Sequence, residues 1–515
     1  MSGAPPSQSA VPVSRAERLD QLSTGTFDVL VIGAGATGAA TAWAAARTGA
    51  KVALVDGGDV AGATSSASSK LLHGGLRYLR TGQIGLVREA HRERQLNAEI
   101  VAPHLVKPLA FLLSVGPECP YPAWQLRLGV VAYSAISRFR DGDSGHLSAA
   151  HASALAPGLR LDGRSFVRYH DHQTDDARLV LGAVRSAEAE GAVWANHAEV
   201  TELCRLGGRV CGAEVRDRIA GETLTVNARV VVNASGPWVD ELRKLEDPAA
   251  RPSVRLSKGV HLVLATEHPP LAAVTSPLSG GRVAFAIPWH GMLLLGTTDE
   301  PFEGPPGAVA VTEADQAQVL REALTSLTSD VVRPDLVRAS FAGLRVLPLG
   351  AAGTATAPRE TVVTSGPGGM LSVAGGKLTT WRRIGIRVAA QALAEIGERA
   401  PNPAAAPILG AANASDVCAE LVRRHPDLDP IACAHLAATY GTLAHDVLAP
   451  AVDNPDLYEP IVPGAPDLLA QVPYAFEWEG ACTLDDVLRR RTTLAIRGLA
   501  GPGRLRVEPY LAVAV

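Results

Sequence analysis

The sequence predicts an α/β protein, α+β overall. It has a Rossmann-like dinucleotide-binding domain, an antiparallel-sheet cap domain and a C-terminal helical domain. Three observations predict this. Residues 27–58 read in order as strand, glycine turn, helix, strand and acid. Residues 255–337 alternate short β-rich runs (HLVLA, VAFAIPW, GMLLLGTT) with turns, the pattern of an antiparallel sheet. Beyond PNPAAAP, read as a linker, the chain offers helical segments such as DVCAELVRRH and LDDVLRRRTTLAIRG. At 515 residues the chain is too long for one simple core, so several domains are expected.

In FDVLVIGAGATGAATAWAAARTGAKVALVDGG, Val29 to Ile32 form a buried strand and Gly33, Gly35 and Gly38 give GxGxxG. The first glycine permits the tight turn and the second lets backbone approach a pyrophosphate. The third lets the helix pack close to the strand, with its N-terminus facing the anion. Asp56, about twenty residues on, suits the ribose hydroxyls. This motif alone leaves NAD and FAD open.

The next stretch, TSSASSKLLHGGLRYL at 64–79, favours FAD. A flavin dinucleotide continues inward past the second strand. Thr64, Ser65, Ser66, Ser68 and Ser69 offer hydroxyls to its pyrophosphate and ribityl oxygens. Gly74 and Gly75 let backbone lie against a flat ring, and Arg77 and Tyr78 point to an anion beyond it.

The rest of the composition narrows the class. Hydrophobic residues are 47% and charged residues 19%, the balance of a folded globular protein. A net charge of −4 gives no basic footprint for nucleic acid. The six cysteines are scattered without a CxxC pair, which argues against a zinc site and suggests reduced thiols and a cytoplasmic setting. No apolar run reaches the ~18 residues that span a bilayer, so membrane attachment is expected to be peripheral. The first residues lack a signal-peptide centre and read as a tail. His425, His435 and His445 read as surface or packing histidines.

The chain resembles the FAD-dependent glycerol-3-phosphate dehydrogenases, within the D-amino-acid-oxidase-like flavoproteins. The resemblance is carried by GAGATG, GATSSASSKLLHGGLRYL, TDDARLVLGAV, VVNASGPWVDEL, RLSKGVHLVL and FAIPWHGMLLLGTTD. AGLRVLP, APRE, VAGGKLTTWR and TLDDVLRRRT follow in family order, to about residue 495. It implies oxidation of sn-glycerol 3-phosphate to dihydroxyacetone phosphate. Hydride passes from substrate C2 to flavin N5, a membrane quinone takes the electrons, and the protein sits on the inner face of the cell membrane. It also allows a homodimer.

For the site, the resemblance implies His261 as base and Arg345 near the reacting C2 oxygen, with Arg359 and Lys377 on the phosphate, helped by Arg77 and Tyr78. An unperturbed histidine titrates near working pH, and guanidinium groups bind two phosphate oxygens at once. The family shows Ser-Arg-Asp where this chain has Pro358-Arg359-Glu360. FAD contacts are expected from Val200, Ala234 and Gly236, and from Gly375, Gly376, Leu378 and Thr379 ahead of a helix. No metal is expected. Rival readings are a flavoenzyme oxidising another small anionic hydroxy or amino compound, an oxidase using oxygen, and a flavin-bound sensor.

The expected domains are a disordered tail over 1–26 and an FAD-binding domain over 27–94, 172–254 and 338–398. The cap takes 95–171 and 255–337, and the helical domain 399–515.

Overall fold

The computed structural model describes residues 11–79, 82–117, 119, 121–137, 140, 142–349 and 361–514. Its first sheet is built on the strand Thr26–Ile32. Val52–Val55 and Thr223–Asn233 run parallel on either side, and Leu371–Ala374 lies beyond the latter. Four strands close the sheet: Val193–Ala195 at one side, and Ala198–Leu206, Arg209–Asp217 and Val362–Ser365 at the other and on its extension.

The glycine turn leads into the helix Ala36–Ala46, whose residues from Gly38 to Ala46 are all buried. It lies between the helices Asp176–Ala189 and Trp381–Glu395. A Cβ on Gly385 would fall 2.4 Å from the backbone carbon of Ala40. Only alanine-sized side chains fit such an approach, which explains the alanine run. At its far end Trp43 stacks on Trp381, centroids 6.3 Å apart.

The second sheet joins distant segments. Val254–Leu264 is paired along its length with Val337–Pro348 and partly with Met292–Gly296 and Glu300–Phe302. Val283–Trp289, Ala272–Pro277, Lys107–Val115 and Ser165–Gln173 continue it to the short strand Leu71–Leu72. Ala272–Pro277 runs parallel to Lys107–Val115, so the sheet is mixed rather than purely antiparallel.

Four further sequence expectations change. Residues 15–24 of the expected tail form a helix, Arg15–Thr24, opened by a Ser14–Glu17 capping box. Its Leu22 is buried, and Arg18 lies over the Trp194 ring and on Glu188. The S-x-x-E signature was present in the sequence but masked by the polar residues around it. Secondly, residues 338–348, expected in the FAD-binding domain, belong to the second sheet. Arg345 and Gly343 interrupt the apolar pattern of that strand because it faces a cavity. Thirdly, the PNPAAAP stretch runs directly into packed chain: Ile408 reaches the first core and its N–H donates to the Val101 carbonyl. Fourthly, LDDVLRRRTTLAIRG is not one helix. Leu484–Asp486 passes into a π-turn, Val487–Arg491, and ends at Thr492. Otherwise the C-terminal region is helical around its own core, with Ala414–Arg424, Pro430–Tyr440, Gln471–Glu477 and Ala500–Ala514.

Gly38 tests the first helix. An added Cβ would lie 1.8 Å from the Gly33 carbonyl oxygen. Gly38→Ala must push the helix off the sheet, and overpacking of this kind costs about 1–3 kcal/mol or more. Urea unfolding should show that loss; a change under about 0.5 kcal/mol would mean the helix shifts freely.

Candidate active site

A cavity of about 1500 Å³ runs from the ends of the first-sheet strands to the second sheet. Pockets for drug-sized ligands are about 300–1,000 Å³, so this one has room for a dinucleotide and a small substrate. Gly33 sits at φ +107, and a Cβ there would meet the Ala234 carbonyl oxygen at 2.6 Å. Gly35 caps the helix without a side chain, so the helix N-terminus stays open to an anion. The Asp56 carboxylate accepts the N–H groups of Ala34 (2.6 Å) and Gly58 (2.8 Å), which fixes it at the cavity wall.

The hydroxyl run is more engaged with protein than its sequence suggests. Ser65 Oγ accepts the Ala36 N–H at 2.9 Å and keeps its own O–H to donate. Thr64 donates to the Leu344 carbonyl, and Ser66 to the Ala63 carbonyl. Ser68 donates to Asp176 at 2.6 Å, and Ser69 shares a bond of 2.9 Å with His261 Nε2. All of these residues hold the loop, and all but Ser66 also line the cavity.

Of the residues expected at the cofactor, Gly38, Ser66 and Gly74 are set back from the cavity wall. Gly38 packs the helix, the Ser66 carbonyl accepts Lys70 Nζ, and the Gly74 N–H donates to Asp171. Gly33, Gly35, Asp56, Thr64, Ser65 and Ser69 line it, as do Gly75, Val200, Ala234 and Gly236. The turn Gly375, Gly376, Lys377, Leu378 and Thr379 forms the opposite wall. There the Thr379 hydroxyl bonds both the N–H and the carbonyl of His73, tying this turn to the LLHGG loop. The donors, the bare glycine backbone and the room fit a flavin dinucleotide.

At the inner end His261 is 3% exposed and stacks on Phe341, its cross-strand partner, with centroids 5.0 Å apart. Gly296 faces it from the other neighbour strand, where a Cβ would fall 2.5 Å from His261 Cδ2. The ring is thus held between an aromatic face and a glycine. Burial, reinforced by Arg345 and Lys70, lowers its pKa to about 3. The expectation of a histidine titrating near working pH is therefore corrected: desolvation holds this imidazole neutral.

Arg345 donates to Thr297 Oγ1 at 2.8 Å and reaches Asp299 at 3.4 Å. A Cβ on Gly259 would lie 2.6 Å from its guanidinium, so that glycine makes its berth. His261, Arg345 and Lys377 all line the cavity. Arg359 lies outside the described residues. Arg77 and Tyr78 fall in the short helix Leu76–Leu79, and their side chains are outside the described part.

Sequence reasoning missed the supporting groups. Asp176 takes Lys70 Nζ at 2.5 Å in a pair almost free of solvent, so the buried cation of the serine-rich stretch is bound by protein. Its signal was the second acid of TDDAR, one more than a helix cap requires. Asp299 and Thr297 sat within the quoted GTTD run, and Asp171 gathers Arg94, Tyr133 and the Gly74 N–H.

Gly296→Ala should disturb the ring and also strain the strand, where a Cβ would lie 2.8 Å from the Val260 carbonyl oxygen. Absorbing the 2.5 Å contact means moving His261 off Ser69. Substrate-driven flavin reduction should slow about tenfold or more, since a base works only within hydrogen-bond reach. Stopped-flow mixing would show it, and an unchanged rate would mean the ring has slack.

Residues 28–382 match the family model described as FAD dependent oxidoreductase. Residues 404–501 match the C-terminal domain of alpha-glycerophosphate oxidase. A glycerol-3-phosphate dehydrogenase of Mycobacterium leprae is 37% identical over 510 residues, 96% of this chain and 86% of that protein. The mitochondrial glycerol-3-phosphate dehydrogenase of Homo sapiens is 34% identical, over 94% of this chain and 70% of its own. Among solved structures, the Bacillus halodurans glycerol-3-phosphate dehydrogenase complexed with FAD superposes with a TM-score of 0.80 at 29% identity, covering 97% of this chain and 92% of that one. The fingerprint, the cavity and these matches together make the chain a member of the FAD dependent oxidoreductase family, with FAD as its cofactor.

Proposed function

We propose that the protein oxidises sn-glycerol 3-phosphate to dihydroxyacetone phosphate and delivers the electrons to a membrane quinone. The observation that carries this is that a neutral buried histidine, Arg345 and Lys377 all line the one FAD cavity. The names of the relatives supply the substrate.

FAD, when bound, supplies the hydride acceptor. Arg345 lies beside the reacting C2 oxygen and favours the charge that grows there as its proton leaves. His261 Nε2 receives that proton in place of its bond to Ser69. Burial and the neighbouring cations disfavour the imidazolium, so the base sheds the proton again before the next turnover. Lys377, with Arg77, Tyr78 and Arg359, takes the phosphate, whose charge partly offsets this cationic field.

The acceptor reading is supported by the helix Ala123–Ile136. Trp124 and Leu128 are 68% and 63% exposed, and Val131 is exposed beside them. Gln125, Leu126, Gly129 and Ala132 line the cavity, so this apolar surface is continuous with its mouth. A helix with exposed Trp and Leu suits the headgroup boundary of a bilayer. Among the described residues no helix is long and apolar enough to cross a membrane. Peripheral attachment at the inner face, and a homodimer, belong to the same reading. The match of residues 404–501 to an oxidase domain supports oxygen as an alternative acceptor. Turnover with oxygen against a quinone analogue decides between them.

His261→Asn should keep FAD and slow flavin reduction by glycerol 3-phosphate about 10²–10⁴-fold. A folded pKa of about 3 leaves the free enzyme's base neutral from roughly pH 5 to 8. The ratio of kcat/KM between wild type and variant should therefore be flat over that range, with the substrate phosphate's own titration cancelling. A ratio that falls as pH drops below about 6.5 would mean the histidine is solvated.

Trp124→Glu with Leu128→Glu should abolish sedimentation with anionic quinone-loaded vesicles and quinone turnover. Anaerobic flavin reduction by substrate should persist. Unchanged vesicle binding would remove this helix from the acceptor reading.

A further inference from the structure

The C-terminal motif TLDDVLRRRT has no part in the chemistry above, yet two of its arginines reach the FAD-binding domain. Asp59 lies three residues after Asp56, in the same loop, and both face the cavity. The Asp59 carboxylate is almost fully buried and accepts Arg490 Nε at 2.5 Å and both Arg491 Nη atoms at 2.9 Å. Asn196 Nδ2 adds a fourth bond at 2.9 Å. Adjacent residues of an α-helix point about 100° apart. Both arginines that share this carboxylate lie in the π-turn Val487–Arg491, and such turns often mark functional sites.

The two arginines then differ. Arg491 is 1% exposed and turns back into the C-terminal unit, donating to the Glu479 carbonyl. Arg490 lies on the cavity wall beside Asp59 and Asp485. Its Nε is held by Asp59 and one Nη by Asp486 at 2.9 Å, bonds that leave its other Nη uncommitted among the described residues. A guanidinium fixed on two sides, with its remaining edge on a cavity, is preorganised for an anion.

A buried ionic network is a poor source of stability, since desolvation offsets most of the attraction. Its presence here needs another reason. We infer that the C-terminal unit completes the cofactor site. Arg490 donates to the anionic ADP half of FAD, and Asp59 and Asp486 position it. The inference rests on FAD as cofactor and is independent of the substrate reading.

The test uses full-length apoprotein titrated with FAD, ADP and riboflavin, alongside thermal unfolding without ligand. Losing one charge-assisted bond should weaken FAD and ADP binding at least about tenfold in Arg490→Gln and leave riboflavin unchanged. Arg490→Lys keeps the charge but cannot reach both acids, so it should bind FAD with intermediate affinity, and it serves if the glutamine variant does not fold. Arg491→Gln is the structural control, lowering the apoprotein Tm without preference between ADP and riboflavin. FAD and ADP affinities within twofold of wild type in both Arg490 variants would overturn the inference. So would equal losses for ADP and riboflavin, which would make Arg490 a domain staple only.

Discussion

The ion pair between Lys70 and Asp176 is the constraint on which the two halves of the site depend. Lys70 leaves the serine-rich loop at φ +59, a conformation that a non-glycine residue adopts only when its surroundings enforce it. The enforcement is visible. Its Nζ is taken by Asp176 and the Ser66 carbonyl, and its own carbonyl accepts the Thr174 N–H. Asp176 also takes the N–H and hydroxyl of Ser68. One buried carboxylate therefore sets residues 66 to 70. Ser69, fixed between them, meets His261 across the boundary of the two sheets. Removing one partner would strand a buried charge, which is far costlier than the pair is stabilising.

Much of the first sheet was legible because its function constrains backbone. Gly33 and Gly38 are forced by backbone oxygens that a Cβ would meet at 2.6 and 1.8 Å, while Gly35 faces the Ser65 hydroxyl at 3.0 Å. His261 was legible through its motif, and the strand that bears it through its β-rich composition. What stayed hidden was pairing at long range. Nothing local says that Arg345 sits opposite Ser257, or that Asp59 waits for arginines more than 400 residues later. The hydroxyl run was readable as polar, but which serines serve the loop and which the cavity depends on partners from other segments.

The histidine shows the same limit in electrostatic form. Its residue type gives a titration near neutrality, whereas its environment moves that to about 3. Burial is the larger cause, and the two cations add to it. An unfolded chain has neither, so the shift is a property of the fold alone. Of the cations that depress the base, Lys70 is held by Asp176, whereas Arg345 lines the cavity and is available to an anionic substrate. Binding of a phosphate dianion would relax the depression, so base strength rises when substrate is present. Such a site discriminates by charge before any chemistry occurs.

The division of labour between the sheets follows. The first sheet and its helix N-terminus position a dinucleotide through backbone, where glycine is the only option. The second presents side chains, His261 and Arg345, on neighbouring strands in fixed register. Glycines make room for both: Gly296, opposite His261, for the ring, and Gly259, two residues along from Arg345's cross-strand partner Ser257, for the guanidinium. The seams between the sheets are polar and short: Ser69 with His261, Thr379 with His73, and Thr64 with the Leu344 carbonyl. A fourth seam is pure backbone, where Gly343 passes so close to Ala67 that a Cβ would lie 2.8 Å from its carbonyl oxygen. Because each seam ends on the serine-rich loop or its neighbours, that loop sets the distance between cofactor and base. Its mixture of hydroxyls, bare backbone and one buried lysine is what a hinge between two rigid sheets requires when it must not move.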